Sequence, residues 1–147
     1  MNNRQKGFTL IELMVVLAII AILAIIAVPQ VQGHLARTQF SEGLGLADGL
    51  KSQVGEYYAS RGKCPVNDAD GFDARNDYAG KYVAGIELGG SAPACTIVVS
   101  FADADINSNL QGQSMTLTSE GETGSLRWTC TTTVPLKYVP AVCGGGE

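Results

Sequence analysis

Histidine is almost missing from this chain: 147 residues contain one, His34. No multi-histidine metal site or histidine relay can be built from it, and just past Pro29 it reads as a surface or interface residue. Charge is also scarce, at 16% of residues, and the surplus is acidic, 14 Asp and Glu against 10 Lys and Arg, for a formal −4. A general nucleic-acid binder needs a basic face to neutralise phosphates, so this balance argues against nucleic acid as a direct ligand. No C-x-x-C pair, N-x-[ST] sequon, nucleophile elbow or phosphate loop occurs. Those absences weigh against a zinc ribbon, hydrolase chemistry and nucleotide binding. Gly43-x-Gly45 follows a helical stretch and lacks the third glycine of a dinucleotide loop. At 15.4 kDa the chain is one domain with an appendage, too short for a multidomain enzyme.

What is present is unevenly spread. Of the 21 residues from Phe8 to Val28, 19 are apolar and only Glu12 is charged. At 1.5 Å per residue that run makes a helix of about 31 Å, the thickness of a bilayer's hydrocarbon core. A short basic stretch with Arg4 and Lys6 precedes it. The positive-inside tendency therefore places the N-terminus in the cytoplasm and the remainder outside. A cleaved secretory signal predicts a shorter apolar run and an A-x-A-like site, and neither is found. A plain anchor does not explain Glu12, because an unpaired carboxylate near the bilayer centre costs roughly 2.5–3.5 kcal/mol. Ala18, Ala21, Ala24 and Ala27 spiral around the helix and form no single face, which lowers its bulk for packing among other helices.

Lys6-Gly7-Phe8-Thr9-Leu10-Ile11-Glu12, at the head of a membrane-length segment, resembles the processing and assembly signature of the type IVa pilins. The resemblance continues through Pro29 into residues 36–44 and is looser beyond about residue 60. It implies a leader, residues 1–7, cut off by a prepilin peptidase between Gly7 and Phe8, with methylation of the new Phe8 amine. Loss of Arg4 and Lys6 would leave 8 basic against 14 acidic side chains, a formal −6. The new cation at Phe8 would pair with Glu12 of a neighbouring subunit, offsetting the desolvation of both charges and setting axial register. Phe8, Glu12 and Pro29 are thus the implied assembly residues.

Beyond Pro29 the pattern is helical again. Phe40, Leu44, Ala47, Leu50, Val54 and Tyr58 form one apolar stripe at spacings of three and four. The spacing predicts one helix from Phe8 to Ser60, roughly 80 Å long, bent near Pro29. Its apolar filament-core half covers residues 8–28 and its amphipathic half residues 29–60. Gly33, Gly43, Gly45, Gly49 and Gly55 would each cost about 1 kcal/mol relative to alanine, so this half needs tertiary support.

Residues 61–147 read as a β head. Lys81–Leu88, Cys95–Ala102, Met115–Thr118 and Leu126–Thr131 carry strand patterning, with Leu126, Trp128 and Cys130 expected to face inward and a polar loop holding Gly121 and Gly124 before the last strand. The fold class is α+β: a long N-terminal helix packed on a four-stranded antiparallel sheet. Cys64, Cys95, Cys130 and Cys143 all lie past the membrane segment, where an even count favours two disulfides among three possible pairings. Resemblance to pilins favours Cys130–Cys143, leaving Cys64–Cys95. Residues 66–77 look like a calcium loop at a glance. Asp68, Asp70 and Asp77 fall on ligand positions, but Val66 occupies the first, so a solvated acidic loop is the plainer reading and no metal or other cofactor is expected.

The resemblance implies a filament subunit, not an enzyme. Its partners would be identical copies, the prepilin peptidase, and an assembly platform with its ATPase. The precursor would sit in the inner membrane with its head in the periplasm, and the assembled filament would be extracellular, serving adhesion, twitching motility, DNA uptake or phage attachment. A minor pilin or a type II secretion pseudopilin shares the N-terminal signature. A membrane-anchored binding domain, such as a DNA receptor, would need a basic stripe, whereas Arg61, Lys63, Arg75, Lys81, Arg127 and Lys137 are scattered among acids.

Overall fold

A computed structural model of the chain describes residues 7–121 and 126–144. The leader residues Arg4 and Lys6, and Gly124 of the polar loop, lie outside them. The chain divides into two compact units, Met1–Gln32 and Gly33–Glu147.

Helix α1, Leu10–Arg61, contributes to both units and is unbroken through Pro29. It starts two residues later than the apolar run, because Thr9 serves as its cap. In the first unit the side chains from Phe8 to Val28 are exposed throughout.

In the second unit, residues 33–61 of α1 lie against a sheet of four antiparallel strands in the order β1-β2-β3-β4. These are β1 (Val83–Ser91), β2 (Ala94–Phe101), β3 (Ser114–Glu120) and β4 (Arg127–Thr132). Alternation does the sorting: Cys95, Ile97, Val99 and Phe101 of β2 are buried, as are Met115, Leu117 and Ser119 of β3. Ile97 opposes both Leu88 and Leu117, and Val99 opposes Ile86 and Met115, which makes a continuous apolar row across three strands.

The helix meets this row with Ala36, Phe40, Gly43, Ala47, Leu50, Val54 and Tyr58. Leu44, expected in the stripe, is only half-buried, and Gly43 takes its place. A methyl group on Gly43 would lie 3.0 Å from Phe101 Cε1 and 3.1 Å from Val99 Cγ1, so the missing side chain sets how closely helix and sheet approach. Phe40 then stacks at a tilt on Phe101, ring centroids 5.4 Å apart.

Other departures from the sequence expectation have local causes. Lys81 and Tyr82 precede β1, which bulges at Ala84 and runs on through Gly89 and Gly90 to Ser91. Leu126 precedes β4, and Trp128 and Cys130 are only half-buried because β4 is an edge strand. The other edge, β1, is covered. A 3₁₀ turn, Arg75–Tyr78, packs where Gly85 has no side chain, and a methyl there would lie 2.7 Å from the Arg75 carbonyl oxygen. Cys64 is bonded to Cys95 with Cα atoms 5.2 Å apart, joining the loop after α1 to β2. Cys130 is bonded to Cys143, joining β4 to a C-terminal turn, α2 (Ala141–Gly144).

Candidate functional site

The site begins with the cap of α1. Glu12 Oε2 accepts from the Thr9 backbone N–H at 3.0 Å and from the Thr9 hydroxyl at 2.9 Å. The same hydroxyl accepts from the Glu12 backbone N–H at 3.3 Å. This is the reciprocal Thr-x-x-Glu capping box, which satisfies two of the orphan donors at a helix start. The sequence signal for it is Thr9-Leu10-Ile11-Glu12, a threonine followed three residues later by a glutamate. Both bonds fall on Oε2, so Oε1 has no hydrogen-bond partner among the described residues. The carboxylate is oriented by its own helix while one oxygen stays open to an outside donor.

After the cap come residues that the first unit leaves uncovered. Phe8 is 87% exposed, and Leu10, Ile11, Leu13, Met14 and the isoleucines that follow are all more than half exposed. This helix is long and apolar enough to cross a membrane. So large a contiguous apolar surface marks a lipid or protein interaction site. Gly7 and Phe8 precede α1 in exposed positions, and Pro29 and His34 are exposed on it.

The carboxylates of the acidic loop take separate places. Asp68 and Asp70 adopt left-handed backbone conformations at φ 59° and 54°, and Asp77 sits in the 3₁₀ turn. Asp70 is engaged elsewhere: the Tyr57 hydroxyl donates to its Oδ2 at 2.6 Å, and Arg61 Nη1 lies 3.9 Å from Oδ1. The Tyr57 bond holds the Asp70 carboxyl below its ordinary value; slight burial opposes this, and Arg61 and Lys63 reinforce it. Among the described residues no group of three or more His, Cys, Asp or Glu side chains is arranged to hold a metal ion. Asn67 donates to the Asp73 and Ile86 carbonyls and accepts from the Leu88 N–H at 2.8 Å, stitching the loop to β1.

Comparison with known proteins agrees with this arrangement. Residues 2–28 match the prokaryotic N-terminal methylation motif, and residues 36–144 match the Pilin (bacterial filament) family. A type IV major pilin protein PilE1 of Neisseria gonorrhoeae is 42% identical over 132 residues, covering 88% of this chain and 78% of its own. A fimbrial protein of Neisseria meningitidis is 41% identical over 131 residues, covering 88% of this chain and 75% of its own. Fimbrial protein EcpC of Eikenella corrodens is 40% identical over 140 residues, covering 95% and 90%. These relatives favour a structural pilus subunit over a pseudopilin or a DNA receptor. With a capped apolar helix at its start and a helix-on-sheet head that spans the family match, the chain belongs to the type IV pilins, the structural subunits of a bacterial filament.

Proposed function

We propose that this chain polymerises through residues 8–28 into a type IV pilus, after removal of residues 1–7 by a prepilin peptidase and methylation of Phe8. The observation that carries the reading is the uncovered apolar helix from Phe8 to Val28, interrupted by one carboxylate. Lipid covers that surface in the precursor, which is anchored in the inner membrane with its head in the periplasm. In the filament, identical helices cover it instead. Exchanging lipid for helix brings no large hydrophobic gain, so packing and polar pairing must supply specificity. Cleavage creates an ammonium at Phe8, and Oε1 of Glu12 on a neighbouring copy, the oxygen the capping box does not use, is its partner. The capping box prepares that carboxylate by fixing its rotamer before assembly. An assembly platform and its ATPase drive the transfer from membrane to filament. Heads with two disulfides coat the outside and carry adhesion, twitching motility, DNA uptake or phage attachment.

Sheared filaments provide the test. The chain should be their dominant protein, with a mass that lacks Met1–Gly7 and carries one methyl group on Phe8. A full-length mass would overturn the reading. Glu12→Ala subunits should remain in the membrane fraction with filament yield reduced at least a hundredfold, the order expected when one buried charge loses its partner at about 3–5 kcal/mol. Assembly of Glu12→Ala at wild-type yield would remove Glu12 from the interface.

A further inference from the structure

The C-terminal loop closed by Cys130–Cys143 touches α1 through a bond whose geometry is specific. Arg37 Nε and Nη2 both donate to the Lys137 backbone carbonyl, at 3.1 and 2.8 Å, across 100 positions of sequence. Arg37 is exposed, so this is no buried charge rescued from an apolar surrounding. Its planar fork meets one oxygen with two donors, which a lysine ammonium cannot reproduce. Lys137 lies in a 3₁₀ turn, Leu136–Tyr138, between the two half-cystines. The carbonyl that Arg37 grips is therefore tied covalently to edge strand β4 through Cys130.

The same turn meets the helix at a second point. A methyl group on Gly33 would lie 3.9 Å from Tyr138 Cε1, which is ordinary contact distance. Gly33 opens the second unit, and Ala36 is its first fully buried helix residue. Alanine offers one methyl group, and the large apolar anchor, Phe40, comes a full turn later. The start of the head's helix is thus held by little apolar packing, by this charge-assisted fork and, two residues on, by Gln39 Oε1, which accepts from the Asn107 N–H at 2.8 Å.

We propose that Arg37 is a strap: it fastens the disulfide-closed C-terminal loop to the first turns of the head's helix, so that the two segments open together. Load arriving along α1 passes through the Lys137 carbonyl into β4 before it reaches the packing of Phe40. That mechanical consequence rests on the filament reading, whereas the fastening itself is testable on unassembled protein.

Hydrogen exchange on the full-length chain in detergent micelles reads it directly. Arg37→Ala should speed exchange of amides in 33–40 and in 136–143 together, by roughly tenfold for loss of one charge-assisted bond. Amides of 97–99 and 115–117 should keep their wild-type rates. Arg37→Lys, which keeps the charge and loses the fork, should move the same two segments by a smaller factor. Opening the loop with Cys130→Ser and Cys143→Ser should speed both segments as well, and adding Arg37→Ala should then change little. Wild-type rates in Arg37→Ala, or acceleration confined to one segment, would overturn the strap. Where Arg37→Ala does not fold, unchanged rates in Arg37→Lys would do the same. Failure of filaments to form while the two segments remain coupled would count against the filament reading and leave the strap standing.

Discussion

Two glycines two positions apart in α1 have opposite consequences. Gly43 faces Phe101 and Val99 at a distance that leaves no room for a side chain, whereas Gly45 faces open space. Gly43→Leu should lower stability by about 1–3 kcal/mol through overpacking. Gly45→Ala should raise it by about 1 kcal/mol through helix propensity. Denaturant midpoints of the unassembled chain, at unchanged m-value, check both. Asp70 offers a pH signature. Its carboxyl is held below the ordinary value chiefly by the Tyr57 hydroxyl, so the folded state prefers the ionised form. That contribution is fully present above the unfolded value of about 3.9 and is lost as pH falls through the lower folded value. The stability lead of wild type over Asp70→Asn should therefore persist at neutral pH and shrink below about pH 4. Acid titration of both proteins by circular dichroism would show it, and a difference that grows on acidification would contradict it.

Edges and ends decide how the elements are held. Strand β1 would present open N–H and C=O groups, yet Asn67 satisfies Leu88 N–H and the Ile86 carbonyl, much as a neighbouring strand would. Asn67→Ala leaves both groups half-buried and unpaired, and should cost about 1–3 kcal/mol. Faster exchange of the Leu88 amide should accompany that loss. On the opposite edge β4 has no such cover at Trp128 among the described residues, and its alternation, clear in the sequence, produces only partial burial. At the start of α1, Thr9→Val removes the hydroxyl that both donates to and accepts from Glu12. Filament yield should fall in Thr9→Val but less than in Glu12→Ala, because the carboxylate survives while its fixed orientation does not.

Taken whole, the chain holds a head stabilised by its own core and an apolar helix that other molecules must cover. The two disulfides serve the head. Cys64–Cys95 closes a separation of 31 residues and Cys130–Cys143 one of 13. Loop-closure entropy assigns them about 4 and about 3 kcal/mol, so replacing the first pair by serine should lower the thermal midpoint more. Calorimetry of the two double variants decides the order.

Much of this was legible because the signals are local and periodic. The membrane-length run, the stripe at three and four, and the alternation in β2 and β3 each repeat within a few residues, so one-dimensional spacing carries them. Leu44 fitted the stripe as well as any residue, and nothing in its neighbourhood reveals that Gly43 takes the closest approach to the sheet. Arg37 reaching Lys137 and Asn67 reaching β1 are likewise invisible in spacing, because their partners lie 100 and about 20 positions away. Periodicity marks which side of an element turns inward. Which atoms then touch depends on how closely two elements approach, and that distance exists only once the chain has folded.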